Sequence, residues 1–310
     1  MEGSEREEGA RRLTRLVAPL RVSPGRTVHL GRDFDPGYKD EFLSKADAEG
    51  VLQTGVELLA DYQARLAAQD TWGLLVVIQA IDAGGKDGTI RHVMSGVNPQ
   101  GVRVSSFKVP SNEELDHDYL WRYAQHLPAR GEIGIFNRSH YEEVLVVRVH
   151  PDVLGQQRLP DEAKTDIWAR RYREINDWER YLVDNGIRIV KLFLNVSKEE
   201  QRKRFLQRIE RPDKNWKFSP ADVHERAFWD DYQRAFSEML SHTSTDWAPW
   251  YVIPADRKWF ARIASAAAIV RALVELDPRY PEVDAGTLEE LQRAKAELEG
   301  EAPDADSRER

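Results

Sequence analysis

Cysteine is absent from this 310-residue chain, which excludes disulfides, a thiolate nucleophile and cysteine-ligated metal. Also lacking are a leader-like segment and any apolar run of membrane-spanning length, so a soluble, cytoplasmic protein with no membrane partner is expected. Positive charge is in deficit. The formal net charge of −8 argues against nucleic acid as a partner, while leaving room for one local basic groove that takes a smaller polyanion. No internal repeat or linker divides the chain. What is there is 32% charged and 9% aromatic residues, with nine tryptophans. A chain of this length buries a core easily, as one large α/β domain or two smaller ones. Without a linker, one domain with a flap is the reading.

The chain is organised around Leu74–Thr89, LLVVIQAIDAGGKDGT. Leu74–Ile78 is a short β-branched apolar run, suited to a strand covered on both faces of a parallel sheet. Gly84-Gly85-Lys86 and Gly88-Thr89 then open a helical stretch. A glycine turn between strand and helix lets N–H groups approach phosphate oxygens at a positive helix end. Lys86 supplies a mobile point charge. The match to G-x-x-x-x-G-K-[ST] is partial: Ala80 replaces the first glycine and Asp87 the metal-binding hydroxyl. Asp82 puts a carboxylate where phosphate would lie, which makes sense with a divalent cation between them. The bland reading of the same stretch is a tight turn with a surface lysine.

Met1–Arg12 is charged and is expected to be disordered, and Pro19–Gly37 to drape over the surface. Helical spacing of Leu52, Val56, Leu59 and Tyr62/Leu66 predicts an amphipathic helix over 44–68. Further strands are expected at Val102–Val109, Ile133–Phe136, Ile187–Leu194 and Trp250–Pro254, with helices over 89–97, 111–126, 161–184, 197–213, the stretch after Ser219, and 256–276. Strands alternating with helices imply right-handed crossovers and a mostly parallel sheet. On the 111–126 helix Arg122 shares the apolar face of Leu115 and Tyr119. Either its stem lies over the core edge or its guanidinium points into the site. Asn137–Glu143 (NRSHYEE) stands at the carboxyl end of the third strand, where open α/β sheets bind ligands. Arg138 suits bidentate phosphate contact, Asn137 and Glu142 orientation of acceptor or metal waters, and His140 a structural role. The aromatic stripe Trp168, Tyr172, Trp178 reads as core or a subunit contact, and self-association is expected.

Between Gln201 and Lys217 seven Lys/Arg face two acids. Arg204, Arg208 and Arg211 share one helix face, with Phe205 and Ile209 anchoring another. A solvated charged face is the bland explanation. The run nevertheless breaks at Pro212 and resumes as Lys214-Asn215-Trp216-Lys217-Phe218, like a flap over an anionic substrate.

With these residues in place, the chain resembles the polyphosphate kinase 2 family, over roughly residues 70–260. The resemblance lies in QAIDAGGKDGTIR (79–91), GVNPQGVRV (96–104), YLWR (119–122), FNRSHYEEVLVVRV (136–149), NWKF (215–218) and TSTDWAPWYVIP (243–254). It implies a three-layer α/β fold of the thymidylate-kinase P-loop type, with about five mostly parallel strands and a helical lid near 201–222. The domain would span 44–282, after an extension (1–43) and before a C-terminal helix and disordered tail (283–310). It implies magnesium, or manganese, and transfer of a terminal phosphoryl group between inorganic polyphosphate and adenine nucleotides, with guanine nucleotides as further acceptors. The implied catalytic set is Asp82, Lys86, Asn137, Arg138 and Glu142, with Asp82 the metal ligand, directly or through water. The implied phosphate set is Gly84, Gly85, Lys86, Asp87, Gly88, Thr89, Arg122 and Arg138, with Arg204, Arg208, Lys214 and Lys217 from the lid. Members acting mainly on diphosphates carry aspartate at the place of Asn137, so AMP and ADP are both expected acceptors. Glu143 stands where relatives carry aspartate. Competing readings are an ADP-only enzyme of the same family, an ATP-dependent nucleotide kinase and a non-catalytic polyanion-binding protein.

Overall fold

Strand β1 (Gly73–Gln79) is buried at every position, so both of its faces must be covered. The computed structural model describes residues 3–301 apart from Phe42 and Lys214, without the side chains of Ser4, Lys217 and Asp222. After helices α1 (Gly3–Val17) and α2 (Ala48–Gln69), β1 leads through the glycine turn into α3 (Lys86–Val93). There follow β2 (Val102–Ser106), β3 (Ile133–Asn137), α4 (Ile167–Asp184) and β4 (Ile187–Asn195). Next come α5 (Lys198–Glu210), α6 (Trp229–Thr243), β5 (Trp250–Pro254), α7 (Lys258–Leu276) and α8 (Ala285–Gly300).

The strands form one sheet in the order β2-β3-β1-β4-β5, parallel at every pairing. Its carboxyl edge gathers the ends of β1 and β3, where Ile78 pairs with Asn137. Helices α1, α2, α3 and α7 pack together, α7 against β4 and β5, while α4 and α6 reach β4 from the side of Lys191. The three-layer α/β expectation is met. No helix among the described residues is long and apolar enough to cross a membrane.

Several local expectations change. The N-terminal segment is helical from Gly3, because Ala10, Leu13, Leu16 and Val17 make a buried stripe on α1. Its charge hides that stripe, which begins only at residue 10. Pro19–Gly37 does run along the surface, but it is anchored: Val22 donates to the Trp250 carbonyl at 2.9 Å and buries its side chain. The 111–126 helix breaks into Asn112–Asp116 and Trp121–Ala124, since His117 is extended and Asp118 Oδ1 accepts the Leu120 N–H at 2.9 Å, starting a new turn. The 161–184 helix is interrupted at Asp166, whose φ is +47°. Its aromatic stripe belongs to the core: Tyr172 is buried, and Trp168 and Trp178 pack against it. The tail at 302–310, expected to be disordered, lies outside the described residues.

Candidate active site

The glycine turn is shaped by what Gly84 lacks. A Cβ there would lie 2.6 Å from Ala80 Cβ and 2.8 Å from the Ile81 carbonyl. The departure at Ala80 from the phosphate-loop pattern is thus balanced four residues on: the alanine methyl occupies the space Gly84 leaves empty. Gly85, at φ +108°, turns the chain into α3, whose first turn presents its N–H groups at the loop mouth. Lys86 folds back so that Nζ donates to the Ala80 carbonyl at 2.9 Å. Burial and the Arg138 guanidinium pull its ammonium down to about 8. Thr89 is buried in α3, and its N–H donates to the Gly85 carbonyl.

Arg138 closes the site from β3. Its backbone sits at φ +64°, and its N–H donates to the Ile78 carbonyl at 3.1 Å, tying the ends of β1 and β3 together. The guanidinium donates to Asp82 Oδ1 at 2.7 Å and to Glu142 Oε2 at 3.2 Å, and the Glu142 carboxylate raises its pKa. Asn137 donates to Asp87 Oδ1 at 3.0 Å. Asp82, Lys86, Asn137, Arg138 and Glu142, with Asp87 and the glycines, therefore share one mouth at the sheet edge.

Two expected phosphate ligands, Arg204 and Arg122, are placed otherwise. Arg204 is buried; it donates to the carbonyls of Ala83 (3.1 Å), Gly84 (2.9 Å) and Ala255, and pairs with Glu200 at 2.9 Å. It braces the loop from beneath, with four of its five N–H donors committed to those three carbonyls and to Glu200. Arg122 is also buried. It donates to the Lys108 carbonyl at 3.0 Å, lies 3.2 Å from Glu114 and stacks on Phe107 and Tyr123, since the break in its helix turns it to the edge of the core. Arg208 lies 5.4 Å over the Phe205 ring on α5, and Ile209, expected as an anchor, is 48% exposed. Lys214 lies outside the described residues, as does the side chain of Lys217.

Other residues escaped the sequence reading. Gln201 donates to the Asp82 carbonyl at 2.9 Å, and nothing in its local pattern marks it. Lys191 did carry a signal, being a charge inside an apolar strand, which demands a buried partner. Glu143 is buried against Arg171 and Gln157. His140 is fully buried, 3.2 Å from Glu179, and burial lowers its pKa.

Among the described residues no three His, Asp or Glu side chains converge as a protein-only metal cage. A single carboxylate at a phosphate nest suits a hard cation that completes its shell with phosphate oxygens and water. Asp82, with Glu142 beside its partner Arg138, fits that donor set.

A parallel sheet bearing a glycine turn, a lysine and an arginine-bridged carboxylate pair at its carboxyl edge defines a protein that handles phosphoryl groups. This chain belongs to the Polyphosphate kinase 2 family, whose match spans residues 42–280. It is 49% identical over 284 residues (90% of this chain, 97% of the other) to a Rhodopseudomonas palustris protein named ADP-polyphosphate phosphotransferase. It is 46% identical over 269 residues (84% and 94%) to a Meiothermus ruber protein named AMP/ADP-polyphosphate phosphotransferase. The crystal structure of polyphosphate kinase 2 from Arthrobacter aurescens superposes with a TM-score of 0.80 at 39% identity, over 89% of this chain and 96% of that one. Enzymes of this family are divalent-metal dependent.

Proposed function

We propose that this protein transfers the terminal phosphoryl group of inorganic polyphosphate to AMP and ADP, giving ADP and ATP, with magnesium at Asp82. The observation that carries the reading is the Asp82–Arg138–Glu142 bridge at 2.7 and 3.2 Å, set in the mouth of a glycine turn. Two polyanions have to meet in one place, and cations must offset their repulsion. Lys86 and the N–H groups of the first turn of α3 face one chain of phosphates. Arg138 stands between that chain and the acceptor, ready to exchange a carboxylate for a phosphate oxygen. Asp82 would hold the metal ion, whose charge would offset that of the phosphate oxygens. No side chain has to abstract a proton, since the attacking atom is a phosphate oxygen already ionised; positioning and electrostatics do the catalysis.

The segment 201–222 acts as the lid over the polyphosphate, with Arg204 rooting it beneath the glycine turn. Asn137 supports use of AMP as well as ADP. The deciding assay incubates the protein with magnesium, polyphosphate or ATP as donor, and AMP, ADP, GMP or GDP as acceptor, and identifies the products. ADP and ATP made from polyphosphate bear out the reading; ADP formed from AMP only when ATP is the donor overturns it. Manganese replaces magnesium in a parallel series, and sedimentation of the same sample tests the expected homo-oligomer.

A further inference from the structure

Beneath Arg138 lies a set of charged and polar groups that reach neither solvent nor substrate. Lys191, in the middle of β4, and Glu179, on α4, are both fully buried and 2.6 Å apart. The three donors of Lys191 are all taken, by Glu179 Oε2 at 2.6 Å, the Tyr141 hydroxyl at 2.7 Å and the Thr243 carbonyl at 2.7 Å. The other Glu179 oxygen accepts from the Tyr141 hydroxyl at 2.7 Å and faces His140 Nε2 at 3.2 Å. Tyr141 and His140 stand three and two residues after Arg138. Ser139, between Arg138 and His140, is buried and accepts from Gln79 at 3.0 Å.

A buried ion pair is a weak source of stability, because desolvation offsets most of its attraction. What this one does is directional: it hooks two consecutive side chains to a single carboxylate. The residue just before the hooked segment needs such a hold. Arg138 is a non-glycine residue in the left-handed region, a conformation that persists only where its surroundings over-determine it. On one side its N–H is tied to the Ile78 carbonyl. On the other, Ser139–Tyr141 is fixed from below.

We propose that Lys191, Glu179 and Tyr141 are positioning residues for the transfer reaction: their buried network holds Arg138 in its left-handed conformation and so aims the guanidinium at Asp82 and Glu142. This rests on the phosphotransferase reading for its kinetic test, though not for its structural one.

The kinetic test is a double-mutant cycle on kcat with Tyr141→Phe and Arg138→Ala. Tyr141→Phe removes one hydroxyl and keeps the ring in a fully buried site. Alone it should lower kcat about tenfold or more while the polyphosphate KM changes less than about threefold; in the Arg138→Ala background it should cost less than about twofold. An equal cost in both backgrounds, or an unchanged kcat in the single variant, overturns the proposal. If Tyr141→Phe does not fold, His140→Gln takes its place in the cycle with the same expected ratios. Failure of the functional reading would appear in the wild-type protein as no product from polyphosphate. The cycle is then run with whichever donor the wild type uses. If it uses none, a crystal structure of the variant decides: Arg138 displaced from Asp82 supports the network's role, and Arg138 in its place overturns it.

Discussion

Asp82 sets a negative charge inside a turn built to receive negative charge, and Arg138 neutralises it at 2.7 Å. Asp82→Asn keeps the shape and removes the charge that, in the proposed reading, holds the cation. Transfer should fall on the order of 10²-fold, roughly 2.7 kcal/mol of transition-state stabilisation, with polyphosphate binding largely intact. An unchanged rate in that variant would remove Asp82 from the mechanism. Lys86 makes a pH prediction. Its pKa lies at about 8, below the usual lysine value of 10.5, so in the ligand-free protein it loses its proton as pH rises through about 8. Polyphosphate affinity, titrated from about pH 7 to about pH 9, should weaken along that limb, and Lys86→Arg should flatten it because guanidinium stays charged. The sign follows from what the ligand favours: a polyanion prefers the protonated lysine, so its binding takes up a proton near pH 8. Asp82, Lys86, Arg138 and Glu142 were legible because each lies within a short motif at a strand end. Arg204 and Arg122 were not, since one arginine looks like another until the fold brings a carbonyl or a carboxylate to it.

At the scale of elements, α5 has two halves of different character. Gln201, Arg204 and Phe205 are buried and fasten its first half beneath the glycine turn, while Leu206 and Ile209 further along are 42% and 48% exposed. A helix rooted at the loop and exposed beyond it suits a cover whose base senses the loop. Lys217→Ala should therefore weaken polyphosphate use more than nucleotide binding, as separate KM measurements for donor and acceptor would register; equal losses would contradict a polyphosphate lid. Arg204→Met should act differently, because it leaves the carbonyls of Ala83 and Gly84 without their donor. Both substrates should then suffer together, with a loss of stability of about 1–3 kcal/mol read by denaturant unfolding. The strands were the most legible elements: an apolar run bounded by turn residues has one reading in a buried parallel sheet. Helix ends were less so. Interruptions at His117 and Asp166 depend on local side-chain acceptors and single left-handed residues, which periodicity averages over.

For the molecule as a whole, the ends of the described chain differ in what they bury, and that difference is testable. Leu13 on α1 is 2% exposed and meets α2 at Gly55, where a Cβ would lie 3.6 Å from Leu13 Cδ1. Both helices lie against α7, the backing of the sheet. Leu291 on α8 is 54% exposed, and no residue of that helix is buried. The two leucines stand in helices of similar length, and the sequence reading expected disorder up to Arg12, just before the first, and a helix around the second. Burial reverses their weight. Leu13→Ala leaves a cavity costing about 3 kcal/mol, and at about 2–4 °C per kcal/mol for a domain of this size the melting temperature should drop by roughly 6–12 °C. Leu291→Ala should move it by about 1 °C or less, within the range of exposed substitutions. Neither should change kcat measured well below the transition by more than about twofold, since the reacting groups sit at the carboxyl edge of the sheet and α1 backs α7. Calorimetry on the two variants reads the first pair of values and a single assay the second. A larger shift from Leu291 than from Leu13 would mean that α8 is covered in the functional assembly, and that the core described here is not the one that sets stability.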